Sequence, residues 1–213
     1  MLEFGHRGWL LDESFVFFDR EFDSLWVQAT GVCIQGKFKG EQLATIPITH
    51  TTWKEWRTLH PESLVLAKPS YQVERYRRDA YERLYAERGT QFGLGVFVAG
   101  QQKLYPLEKL KTTPIVTDKI GDTPVLVVFH PPSKTAVAFD PMIDDRMVEF
   151  ELVEVTEFDV ILRDSNDNTF WSGLTGRAQT SDDTRPRLRQ LRTTQFVTGN
   201  WLKHFSDGLI YDP

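Results

Sequence analysis

One cysteine, Cys33, stands in 213 residues. That excludes an internal disulfide framework and a zinc knuckle built from several thiolates. Positive charge is also in short supply: 25 Lys and Arg face 30 Asp and Glu, a formal net charge of −5. The balance argues against nucleic acid or an anionic membrane as the main partner. No apolar run approaches the roughly 20 residues of a membrane span. No Gly-rich phosphate loop, GxSxG elbow or HExxH pair occurs. The opening MLEFGHRGWLLDESF lacks a signal peptide's basic start, long apolar stretch and small-residue cleavage site. As written, the chain predicts a soluble, cytoplasmic protein, with export open if the native start lies upstream.

What is present is a core and a repeat. The chain is 40% hydrophobic and 13% aromatic, enough for one large domain or two small ones. MLEF (1–4) aligns with MVEF (147–150), and VFFDREFDSLWVQATG (16–31) with ILRDSNDNTFWSGLTG (161–176). Asp19 meets Asp164, Trp26 meets Trp171, Thr30 meets Thr175 and Gly31 meets Gly176. Leu43 then pairs with Leu188. After a three-residue shift Trp53 pairs with Trp201, and ESLVL (62–66) agrees in character with DGLIY (207–211). Two matched tryptophan pairs in register point to a duplication. Residues 93–146 have no counterpart before residue 1, so the chain is expected to open inside a repeat. We place the end of a first unit and its linker helix at 1–92, and a complete second unit at 93–213.

LGVFVAGQQKLYPL (94–107) predicts a hairpin around Ala99-Gly100-Gln101-Gln102, and PLEKLK (106–111) one helical turn. TPVLVVFH (123–130) is a continuous β-branched run, the pattern of a strand buried on both faces, with KTAVAFD (134–140) as its partner. TTWKEWRTLHP (51–61) predicts a helix with Thr52 as N-cap, Glu55 completing a capping box and Pro61 as its stop. NWLKHF (200–205) predicts another with Asn200 as N-cap. YQVERYRRDAYERLYAER (71–88) carries a helical stripe. The class is α+β: a β-rich tandem repeat of small mixed or antiparallel sheets with short helices.

Cys33 is a nucleophile or soft metal ligand, or more plainly a small buried side chain. Cys33, His50 and His60 together offer three zinc or copper ligands. His60 before Pro61 also suits a helix end, where a cationic imidazole faces the carbonyls. His130, before two prolines, fits a turn. Trp26, Trp53, Trp56, Trp171 and Trp201 line a ligand groove or fill the core of each unit. Asp19 and Asp164 form an acid pair across a pseudo-symmetric cleft, or shape turns. RPRLRQLR (185–192) and RYRR (75–78) form a polyanion site or a solvated face.

GVFVAGQQKLYPLEKL, IVTDKIGDTPVLVVF, SKTAVAFDPMIDDRMVEFEL, FWSGLTGRA and TTWKEWRTLHPESLVL together resemble the bacterial and archaeal domain-of-unknown-function family 3179. The resemblance runs through nearly the whole chain and implies tandem units. That family's Cys-Pro-x-Cys segment would lie upstream of Met1. Its counterpart here, FHPPSKTA (129–136), has His130 and Ser133 and no cysteine. The resemblance implies no activity, and no cofactor is indicated. The expected function is a non-catalytic binding or interaction module, with Trp26, Trp53, Asp19 and Asp164 as candidate ligand-binding residues. The alternative is an enzyme or metal-binding protein whose site lies between the units at Cys33, His50 and His60. Strands within 14–36 are expected to expose an edge that a second copy or a missing upstream half covers.

Overall fold

The computed structural model describes residues 1–12, 14–66, 91–180 and 187–213. The helix predicted over 71–88 and the basic run at 75–78 lie outside them. Strands dominate, joined by short helices, in the β-rich α+β class.

The first copy is one antiparallel meander of β1 (Phe4–Leu11), β2 (Ser14–Asp19), β3 (Leu25–Val27) and β4 (Cys33–Gln35), in that order. Asp19 makes the β2–β3 turn. Its Oδ1 accepts the Phe22 N–H at 2.7 Å and its Oδ2 accepts the Trp26 indole N–H at 3.0 Å. After this sheet comes α1 (Trp53–Leu59), capped by a 3.2 Å bond from the Glu55 N–H to Thr52 Oγ1. The expected edge within 14–36 is not open at β2 or β3. Phe4–Leu11 forms a strand of its own and pairs with β2. What is left uncovered is a face.

The second copy has two additional layers. Strands β5 (Phe92–Val98) and β6 (Gln101–Pro106) turn at Ala99 and Gly100, φ 49° and 76°. Positive φ at both central residues matches the twist of a tight hairpin. After α2 (Leu107–Leu110) come β7 (Ile115–Ile120), β8 (Thr123–His130) and β9 (Thr135–Asp140). A small hairpin, β10 (Met142–Ile143) with β11 (Arg146–Met147), turns at Asp144 and Asp145. The last strands are β12 (Phe150–Val155), β13 (Val160–Asp164), β14 (Phe170–Ser172), β15 (Arg177–Ala178), β16 (Arg189–Gln190) and β17 (Arg192–Val197). Then α3 (Trp201–His204) precedes β18 (Leu209–Ile210). The sheets run β17-β5-β6-β18, β16-β9-β8-β7 and β12-β13-β14-β15. Only β18 pairs in parallel, with β6, among the described strands.

The β8 sheet lies between the other two, which explains its unbroken apolar run. Val125, Val127 and Phe129 pack into a core with Leu94, Val96 and Tyr105 of the β5 sheet. Leu126 and Val128 pack the other way, with Phe150, Val160, Leu162 and Trp171. Side chains alternate across a strand, so a strand between two layers has no polar face.

The two meanders match in register. Phe4 opposes Asp19 and Phe17 opposes Trp26; Phe150 opposes Asp164 and Leu162 opposes Trp171. The Asp23 N–H bonds to Asp19 O and the Asn168 N–H to Asp164 O, each at 2.9 Å. Gly31 and Gly176 both take the left-handed region, φ 71° and 66°. The duplication is therefore present in the hydrogen bonds as well as in the letters.

The copies differ in what lies above them. Phe150, Val160 and Leu162 are buried beneath β8 and β9. Their counterparts Phe4 and Phe15 are exposed, Phe15 at 46%. Trp201 is fully buried among Leu104, Phe196 and Phe205 and donates to Leu209 O at 3.1 Å. Trp53, its counterpart, is 50% exposed. Asn200 makes no side-chain cap bond, contrary to the N-cap reading. The prediction is asymmetric. Trp201→Ala should cost about 3–5 kcal/mol, and Trp53→Ala within about 0.5 kcal/mol, as read from denaturant unfolding of each variant.

Candidate functional site

The two copies meet along residues 46–60, and the seam contains a buried polar chain. Helix α1 carries Glu55 into the second copy, where the side chain is 4% exposed. His130, at the end of β8, is fully buried. Its Nε2 lies 2.9 Å from Thr156 O, an acceptor only, so that nitrogen carries a proton. Nδ1 then faces two oxygens. It lies 2.7 Å from Ser133 Oγ and 2.7 Å from Glu55 Oε1. The glutamate contact is close but not in line, and Oε1 has no hydrogen-bond partner among the described residues. The chain continues from Ser133 Oγ to Thr135 Oγ1 at 2.7 Å, then to Thr51 Oγ1 at 2.8 Å. Burial holds the Glu55 carboxyl above its ordinary range, and His130 opposes that rise. Burial also raises Asp159, against hydrogen bonds from Ser172 and the Val160 and Leu174 amides.

Thr51 and Thr135 also line a small cleft under α1, about 50 Å³ in volume, with His60, Arg187 and Gln190 among its walls. A larger groove of about 350 Å³ follows the same seam past Gln28, Ile48, His50, Phe97 and Arg192. Around it, Gln190 donates to Thr49 Oγ1 at 3.0 Å, Thr193 donates to Ile48 O at 3.3 Å and Arg192 donates to Thr30 O at 3.2 Å.

A sequence model described as a protein of unknown function, DUF3179, matches residues 1–95 and again residues 91–213. The chain belongs to this family. Two adjacent matches fit a repeated unit. No curated protein and no solved structure matches the chain.

In this DUF3179 chain the residues singled out from sequence are distributed as follows. Cys33 is buried in β4 and its thiol donates to Gln35 O at 3.2 Å. His50 Nδ1 meets Gln195 Oε1 at 2.7 Å in the groove. His60 stacks on Trp56 with ring centroids 4.2 Å apart. Among the described residues no three His, Cys, Asp or Glu come together to hold a metal ion. Asp19 and Asp164 are buried turn anchors in separate sheets; Asp164 Oδ1 accepts the Asn166 N–H and Oδ2 accepts from Arg146. Trp26 is covered by Phe4 and Phe38, whereas Trp53 faces solvent.

Three expectations change. His130 is not a turn residue but the buried centre of the seam. Glu55 does not close a capping box; its carboxylate points to His130, and only its amide serves the cap. His60 does cap the end of α1, its backbone N–H bonded to Trp56 O, but its surroundings do not favour a cationic ring. Burial first, then Arg187 and Arg177, hold its pKa below the ordinary value.

Glu55 makes the seam pH-dependent. A carboxyl whose folded pKa is raised contributes stability present below its unfolded value and lost as pH rises through the folded one. The ordinary value is 4.5. Glu55→Gln should therefore melt progressively higher than wild type as pH is raised above that value, with the two converging below it. Parallel melting curves across that range would remove Glu55 from the account.

Proposed function

We propose that the chain is a non-catalytic interaction module. Its binding surface is the uncovered face of the first meander, with Phe4, Leu10 and Phe15. The observation that carries this reading is the difference in cover between matched positions. Val160, fully buried beneath β8 and β9, corresponds to Phe15. Leu209 and Ile210 pair with β6, whereas Leu64, Val65 and Leu66 are exposed. Exposed apolar faces of this kind mark interaction sites. The second copy supplies the template for the occupant: a β layer with the alternation of β7–β9. A second copy of this chain, or a segment upstream of Met1, would supply it. The seam supports the non-catalytic side of the reading, because His130 is closed to solvent and serves to fasten the copies.

Sedimentation velocity on the purified chain tests the proposal. The chain should self-associate as concentration rises. Phe15→Ser and Leu10→Ser should return it to monomer without lowering its melting temperature, because these side chains contribute little to the chain's own core. A chain monomeric at every concentration, with a destabilised Phe15→Ser variant, would assign the face to internal packing and sink the reading.

A further inference from the structure

We infer that the cleft under α1 is a binding site for a small oxyanion, a free phosphate-like ion or the carboxylate head of a larger ligand. Arg187, His60 and the hydroxyls of Thr49 and Thr51 would hold it. This site lies away from the uncovered face and does not depend on the interaction reading.

The four side chains line one cleft, and among the described residues they keep donors to spare. Arg187 uses its Nε–H on Thr175 O at 2.9 Å. Both Nη groups are left without a carboxylate partner among the described residues. That planar fork is the shape that matches two oxygens of one anion. Thr49 Oγ1 accepts from Gln190 at 3.0 Å, so its own proton is left to donate. Thr51 Oγ1 accepts from Thr135 at 2.8 Å and is left in the same state. Hydroxyls that already accept a bond are set to donate into the space beside them. His60 is held in place by its stack on Trp56.

The charges favour an anion as well. Among the described residues no Asp or Glu lines the cleft. Burial first, and then the charge of Arg177, disfavours the charged form of Arg187; burial, Arg187 and Arg177 do the same for His60. Like charges gathered in a partly buried place cost free energy, which an anion offsets. The volume also fits. About 50 Å³ exceeds the roughly 10–15 Å³ that one water needs and leaves room for a small anion.

The test is a proton NMR titration of His60 in the full chain. Inorganic phosphate, acetate and sodium chloride are compared at matched ionic strength. Phosphate should raise the His60 pKa saturably. Arg187→Gln should weaken that response about tenfold or more, the loss expected for a charge-assisted hydrogen bond. Acetate producing the same saturable shift would extend the site to carboxylate heads; a response to phosphate alone would restrict it to tetrahedral ions. Chloride matching both, or an Arg187→Gln response equal to wild type, would reduce the effect to screening and overturn the proposal. His60→Gln, followed by the Trp56 fluorescence change on adding phosphate, supplies a second readout. Saturation that survives in this variant and is lost in Arg187→Gln supports the site, and saturation that is indifferent to Arg187 refutes it.

Discussion

A carboxylate from one copy is buried against an imidazole of the other, and the arrangement of the copies depends on that contact. Glu55 and His130 are both shielded from water, and burying an ionisable pair is costly unless its hydrogen bonds are met. Thr156 O and Ser133 Oγ meet the two imidazole nitrogens, while Glu55 Oε1, 2.7 Å from Nδ1, has no hydrogen-bond partner among the described residues. Helix α1 spans only Trp53–Leu59, too short to be stable by propensity alone. Its place is set by what it inserts. Leu59 rests on the core between β8 and the second meander, Lys54 pairs with Glu157 at 2.6 Å and Glu55 reaches the end of β8. Shifting α1 by one residue would replace Glu55 with Lys54 or Trp56 and leave His130 without its partner.

The same economy of cover explains the sheets. A meander with one apolar face needs a layer on that face. In the second copy β7–β9 is that layer, and it is apolar on both sides because the β5 sheet lies beyond it. In the first copy the equivalent face has only local help. Phe38 leans on Trp26 at 5.8 Å and on Phe22 at 5.4 Å, and Lys37 sits over the Phe22 ring at 3.7 Å. This patch closes over the indole but does not extend to Phe15. The uncovered area is thus the part of the face that a short loop cannot reach.

Local chemistry was legible in the sequence, and long-range pairing was not. The Ala99-Gly100 and Asp144-Asp145 turns follow from which residues tolerate positive φ. The burial of β8 on both faces follows from the unbroken apolar run Val125–Phe129. The duplication was visible because tryptophan is rare and both pairs kept register. The first strand was missed because Gly5 and Gly8 interrupt the alternation of Phe4–Leu11; Gly8 sits at φ 78°, by the register shift between His6 and Leu10. Glu55 and His130 were separately visible, each with a sufficient local role in a cap or a turn. Nothing in the spacing joins them, because their contact is made by the docking of one copy on the other. The lowered pKa of His60 shares that origin in part: burial leads, and the two arginines that add to it come from the second copy.

Divergence between the copies follows from the same cause. In the first, Asp19 accepts the Trp26 indole N–H. Burial pushes that carboxyl up, but bonds from Trp26, Phe22 and Ser24 outweigh it and hold it below its ordinary range. In the second, Arg146 from the β10–β11 hairpin takes the Asp164 oxygen instead, and the Trp171 indole N–H has no partner among the described residues. The hairpin that carries Arg146 belongs to the segment preceding the second meander, which has no counterpart in the described part of the first copy. Where that segment is present, the arginine satisfies the aspartate and the tryptophan becomes a purely apolar core residue against Phe150. In the first copy the aspartate accepts from the tryptophan instead. The matched Asp–Trp pair thus has two solutions, and in the second copy the deciding arginine comes from the β10–β11 hairpin.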